Sequence, residues 1–259
     1  MARKKTTLVW LTSVVAVALG GMVLTPGIAS ADPPAALPAA APDADVKWQP
    51  ALDFDQDGCY NTPAIGPDGT VSPGLPLGGD TNGNCRDQSD LENTNVYSRS
   101  KCNNGWCAYL YAYYFEKDQA SLGGGSAGHT HDWEHIIVWV QDDQAKFLSV
   151  SQHGGWETKP GAELQFDGGS HPKAVYHKDG GGTHCFRFPK SDGGDEPPEN
   201  HEGRWQYRGL VGWDNFPAGV RQTLDDHDFG SATLELPDDR FGNALAGAKP
   251  GEVGLDPHA

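Results

Sequence analysis

Two aromatic and β-branched runs dominate the apolar pattern of this 259-residue chain. Residues 106–115 and 136–140 are each bounded by turn-forming residues, and both predict strands. Shorter runs at 147–151, 174–177 and 185–188 predict more of the same. The chain holds 34 glycines and 19 prolines, which suits many short strands joined by turns. Helical signals are sparse and late. Asp214 or Asn215 can cap a helix over 217–226 with Pro217 in its first turn, and 243–248 predicts one more short turn of helix. The expected fold class is mainly β, a single-domain β-sandwich with a few peripheral helices.

The ends of the chain fit a different logic. Arg3, Lys4 and Lys5 precede the nearly uncharged stretch 8–23, and Ala29-Ser30-Ala31 supplies the small-x-small pattern of a cleavage site. A membrane anchor needs about 20 apolar residues, and this run is broken earlier by Pro26-Gly27. Residues 1–31 therefore read as a signal peptide, and the mature protein as secreted and extracellular. Residues 32–45, rich in Pro and Ala, read as a disordered linker. The remainder, 46–259, is long enough for one domain with a sizeable core.

Removing the leader takes away three basic residues and no acidic ones, which moves the formal charge from −16 to −19. Such a surface repels phosphate backbones, so nucleic acid is not an expected partner. Anionic lipid would be repelled too unless a metal ion intervenes. All five cysteines, Cys59, Cys85, Cys102, Cys107 and Cys185, lie in the exported part, where oxidation favours disulfides. Spacing leaves the pairing open, and one thiol is left over.

The densest polar cluster is His129, His131, Asp132, Glu134 and His135. On a strand running into Ile136, Asp132 and Glu134 share one face while His131, Trp133 and His135 share the other. Two neighbouring carboxylates repel, and a bound cation removes that cost. Hard oxygen ligands favour Mg²⁺ or Ca²⁺. Two enzyme readings compete. His131 to His135 fits H-x-x-E-H, the inverted zinc-protease pattern, but that chemistry needs a helix. Asp132 and Glu134, about 7 Å apart along a strand, could also serve as a glycosidase pair. Asp53, Asp55 and Asp57 imitate the start of an EF-hand loop, but Ala64 stands where its bidentate Glu belongs, so the segment reads as a turn. Of the later histidines, His153 is the most suggestive, because its flanking glycines let backbone approach a ligand.

At these residues the chain resembles the necrosis- and ethylene-inducing-like proteins, secreted cytolysins of plant-associated microbes. Their heptapeptide is Gly-His-Arg-His-Asp-Trp-Glu, and six of its seven residues stand in Gly128-His129-Thr130-His131-Asp132-Trp133-Glu134. The likeness extends through Phe54-Asp55-Gln56-Asp57-Gly58-Cys59, through Tyr111 to Asp118, and from Trp213 to Ala232, which resembles the family's C-terminal helix and last strand. The resemblance implies a β-sandwich similar to pore-forming cytolysins and no enzymatic activity. It implies a Mg²⁺ or Ca²⁺ ion held by Asp118, His129, Asp132 and Glu134, with His131 supporting the site and His153 and His184 lining a headgroup cavity. The implied target is a plant plasma-membrane sphingolipid, glycosyl inositol phosphoryl ceramide, met by peripheral membrane contact. The implied bridges are Cys59–Cys85 and Cys102–Cys107, the second typical of a four-cysteine subgroup, with Cys185 free. Two departures bear on toxicity. Thr130 replaces the heptapeptide arginine, and the loop 122–127 is longer than usual, with three glycines at 123–125.

Overall fold

The computed structural model describes residues 32–120, 127–190 and 196–259. The leader and the glycine run at 123–125 lie outside the described residues. In chain order the elements are α1 (Asp43–Trp48), β1 (Ala51–Phe54), α2 (Gln88–Glu92), β2 (Val96–Asn103), β3 (Trp106–Gln119), β4 (Gly128–Gln141), β5 (Gln144–Gln152), β6 (Gly155–Pro160), β7 (Phe166–Asp167), β8 (His171–Lys178), β9 (His184–Arg187), β10 (Leu210–Gly212), α3 (Val220–Asp225) and α4 (Asp238–Ala248). Six strands form one sheet in the order β10-β2-β3-β4-β5-β6, and β1-β8-β7 with β9 on β8 form the other. The sandwich expected from the sequence is thus present, with α3 and α4 in one core cluster and α1 and α2 in the other. No helix among the described residues is long and apolar enough to cross a membrane.

The central strands explain why the apolar pattern was continuous rather than alternating. β3 and β4 are covered on both faces, as strands between two packed layers must be. Tyr111, Tyr113, Phe115, Ile136 and Val138 face the smaller sheet, where Phe115 stacks on Tyr176 at 3.7 Å and Tyr113 meets the edge of Phe186 at 5.2 Å. Leu110, Ala112, Tyr114, Ile137 and Trp139 face the other way, onto Leu224, Phe241 and Leu245 of the helical layer. Each fully buried aromatic or branched side chain contributes roughly 1.5–3 kcal/mol as an upper estimate.

Three hairpins are closed by two-residue turns whose central residues have positive φ, the geometry that matches strand twist. They are Asn104-Gly105, Asp142-Asp143 and His153-Gly154. The disulfides Cys59–Cys85 and Cys102–Cys107 both form, and Cys185 is a buried free thiol that burial pushes up to about 12.

Three expectations are corrected. Residues 32–45 are not a free linker over their described length. Leu37 is 2 % exposed, its amide donates to Asn95 Oδ1 at 2.8 Å, Asn95 Nδ2 donates back to its carbonyl, and Ala40 bridges Val211. Composition could not reveal this, because one apolar residue and one asparagine on the body suffice to dock the segment. The helix expected over 217–226 is shorter, Val220–Asp225, and its N-cap is Gly219 at φ +81°, while Asp214 instead pairs with Arg221 at 2.8 Å. The last strand implied by resemblance is not formed, since residues 229–236 run as irregular chain.

Candidate cation-binding site

The polar ends of β3 and β4 carry the site. Asp118 and His129 are directly opposed in the antiparallel ladder, and Asp132 lies opposite Phe115. In a regular strand His129 and Asp132 would point to opposite faces. The ladder lacks the Glu116–His131 rung, and His131 has φ +62°, in the left-handed region. That break in alternation returns His129 to the side of Asp132. A non-glycine residue there costs on the order of 1–3 kcal/mol, strain that surrounding packing must hold. It is held by Tyr114, whose hydroxyl lies 2.6 Å from His131 Nδ1, and by Phe229, edge-on to the ring at 5.3 Å. Only glycine fits at position 74, where a Cβ would lie 2.8 Å from the same ring. A Cβ at Gly128 would collide with the Asp118 carbonyl, which accounts for the glycine that opens the heptapeptide.

The result is a cluster in which one donor atom each of Asp118, His129 and Asp132 lies within 4.8 Å of the others. Each group is oriented by a neighbour. His129 Nδ1 lies 2.7 Å from the His131 carbonyl, so it carries the proton and leaves the Nε2 lone pair free, 3.9 Å from Asp118 Oδ2. Asp118 Oδ1 accepts from the His184 amide at 2.8 Å and lies 2.8 Å from His184 Nδ1. His184 Nε2 in turn lies 3.1 Å from the Asp57 carbonyl. Tyr176, stacked on His184, donates to Asp132 Oδ2 at 3.1 Å. Glu134 shares the cavity but not the three-donor cluster. Its Oε2 accepts the Ser151 hydroxyl, which itself accepts the His135 amide at 2.7 Å.

Electrostatics point the same way. Burial and then the nearby Asp118 charge push the Asp132 carboxyl up to about 8, and burial with Asp132 holds Glu134 well above its ordinary range. Buried carboxylates that oppose each other's ionisation suit a cation, and two carboxylates with an imidazole form a donor set that fits one. The cluster opens into a cavity of about 320 Å³ whose wall includes Glu134, His153, His184, Trp133 and Trp156. His153 sits at its rim, with Nε2 3.3 Å from Asp179 Oδ2.

His131 does not line the cavity; it acts through its carbonyl and its backbone. Tyr176, Ser151 and the Asp57 carbonyl had no sequence signal, because an isolated hydroxyl or backbone acceptor carries no spacing. The zinc-protease geometry is not built. Four residues along a strand span about 13 Å, and His135 is buried with its Nε2 accepting the Glu235 amide at 3.2 Å. Nor is the EF-hand imitation a single site. Asp53 accepts from Asn200, Asp55 pairs with Arg187 and Asp57 with Lys178.

Comparison with known proteins bears on the family and the fold. The family model described as necrosis inducing protein (NPP1) matches residues 42–248. NLP effector protein 10 of Phytophthora capsici is 32 % identical over 208 residues, 78 % of this chain and 81 % of that protein. The solved structure of NLPPya in complex with mannosamine is 30 % identical with a TM-score of 0.69, covering 84 % of this chain and 96 % of that one. The structure of the non-toxic HaNLP3 protein is 27 % identical with a TM-score of 0.70, covering 86 % and 100 %. With the sandwich, the heptapeptide and the family model all in agreement, the chain belongs to the necrosis-inducing protein (NPP1) family and has its toxin fold.

Proposed function

We propose that this protein is a secreted, cation-dependent cytolysin that binds an anionic, sugar-bearing lipid headgroup and damages the membrane carrying it. The carrying observation is the convergence of Asp118, His129 and Asp132 at the floor of an open cavity. The ion is Mg²⁺ or Ca²⁺, with Glu134 as the fourth ligand, moving off Ser151. It converts a site that would repel anions, on a chain of formal charge −19 without its leader, into one that attracts them. That NLPPya forms a complex with mannosamine supports a sugar-bearing ligand for this cavity, and glycosyl inositol phosphoryl ceramide of plant plasma membranes combines sugar with phosphate. Asp132→Ala and Glu134→Ala should each abolish lysis of vesicles of plant plasma-membrane lipid while near-UV circular dichroism is retained. Undiminished lysis by either variant would sink the proposal.

A second reading is a binding relative that has lost lysis. Thr130 stands in place of the heptapeptide arginine, and its hydroxyl donates to the Leu75 carbonyl at 2.9 Å instead of carrying charge toward a headgroup. The fold of HaNLP3, a non-toxic protein, shows that this architecture does not by itself entail toxicity. Binding to such vesicles without leakage would select this reading.

A further inference from the structure

His184 is the hinge of the cation site, and it is held from behind. Its amide and Nδ1 both address Asp118 Oδ1, so the imidazole sets where that carboxylate points. The other ring nitrogen reaches the Asp57 carbonyl, in the turn that follows β1. A turn is a poor anchor unless something immobilises it. This one is built on Arg86. Its Nη1 donates to the carbonyls of Asp55 at 2.8 Å and Gly58 at 2.6 Å, bracketing Asp57. Its Nη2 donates to Phe54 O at 3.0 Å and Glu199 O at 3.1 Å, and the guanidinium lies 4.8 Å from the centre of the Tyr60 ring. Arg86 itself is delivered by the neighbouring Cys85, bridged to Cys59 next to Gly58.

We propose that Arg86 is a positioning residue for the cation site, acting through the Asp57 carbonyl on His184 and through His184 on Asp118. The inference rests on the reading of this cavity as a cation site. A planar guanidinium suits the task, because its fork serves four carbonyls at once, which an ammonium cannot. Groups hydrogen-bonded directly to a metal ligand, as His184 is to Asp118, change metal affinity by about 10- to 100-fold when removed, and a residue that positions such a group acts through it with a smaller effect.

The test compares the intact secreted chain with Arg86→Gln and Arg86→Lys, using Mg²⁺ and Ca²⁺ alone in isothermal titration. Arg208→Gln, which breaks an ion pair with Glu202 away from the cavity, serves as the control for general destabilisation. The second readout is the ¹H–¹⁵N signal of the His184 ring in cation-free protein, where a protected ring proton is expected from contacts on both ring nitrogens. Arg86→Gln should bind the cation more weakly, by up to about tenfold, and lose the protected signal, with near-UV circular dichroism unchanged. Arg86→Lys should recover only part of either, and Arg208→Gln should alter neither. Unchanged affinity and an unchanged His184 signal in Arg86→Gln would overturn the inference. So would a folded wild-type protein without a protected His184 ring proton, a result that can be read even if the glutamine variant fails to fold. Wild-type protein that binds neither ion would instead overturn the reading of the cavity, while the His184 signal still decides the role of Arg86.

Discussion

Asp132 and His135 are three residues apart on one strand, and burial acts on them in opposite directions. It penalises the charged form of each, so the carboxyl is pushed up to about 8 and the imidazole down to about 3. Below its ordinary value of 6.5, His135 takes up a proton in the unfolded chain but not in the folded one, so its contribution is lost as pH falls from 6.5 toward 3. A raised carboxyl does the reverse. The folded protein keeps a proton that the unfolded chain has released, and stability falls as pH rises from about 4 toward 8. Glu116 behaves like Asp132. Burial pushes it up to about 8, and neither carboxylate oxygen has a hydrogen-bond partner among the described residues. Of these two opposing effects, only that of the carboxyls operates between pH 6.5 and 8. The cation-free protein should therefore lose stability across that window, by up to ~1.4 kcal/mol per pH unit for each such group. Glu116→Gln should flatten the slope, and urea unfolding at pH 6.5 and 8 checks it; an equal slope in the variant would show that Glu116 ionises freely. At this scale the sequence was legible where chemistry comes in a spaced motif. His129, Asp132 and Glu134 followed from the heptapeptide and Asp118 from the resemblance. The partners Tyr176, Ser151 and Arg86 were not legible, since each acts through contacts with residues distant in sequence.

The same division runs through the elements. The strands centred on 106–115 and 136–140 were legible from their apolar residues, but the real strands extend to Gln119 and begin at Gly128. The apolar signal fades where the site begins, because the strand ends carry Asp118, His129 and Asp132 in place of core residues. Short edge strands such as β1, β7 and β10 were missed because two to four residues hold no measurable period. The His153-Gly154 turn shows an element serving the site. His153 at φ +46° closes the β5–β6 hairpin and stands at the cavity rim. A β-branched residue is disfavoured there and asparagine is tolerated. His153→Val should cost about 1–3 kcal/mol in urea unfolding and His153→Asn well under half of that. Equal costs would mean that the loss lies in side-chain contacts and not in the turn.

Across the whole molecule, charge and architecture pull against each other. A formal charge of −19 without the leader keeps the protein away from anionic surfaces, yet its cavity gathers carboxylates at the end of the two central strands. Under the proposed function, a bound cation would reconcile these facts by turning that end into a receptor for a negatively charged headgroup. The overall sandwich was legible from strand-like runs and turn residues. The layered burial that makes β3 and β4 rigid enough to hold such a site appears only once both sheets and the helices are in place. The decisive measurement is calcein release from vesicles of plant plasma-membrane lipid exposed to residues 32–259 with Mg²⁺ or Ca²⁺, followed by excess chelator. Release that begins with the cation and stops with the chelator is the expected result. Release that persists undiminished in chelator would contradict a cation-dependent site, and a folded protein that binds the vesicles but releases nothing would contradict lysis.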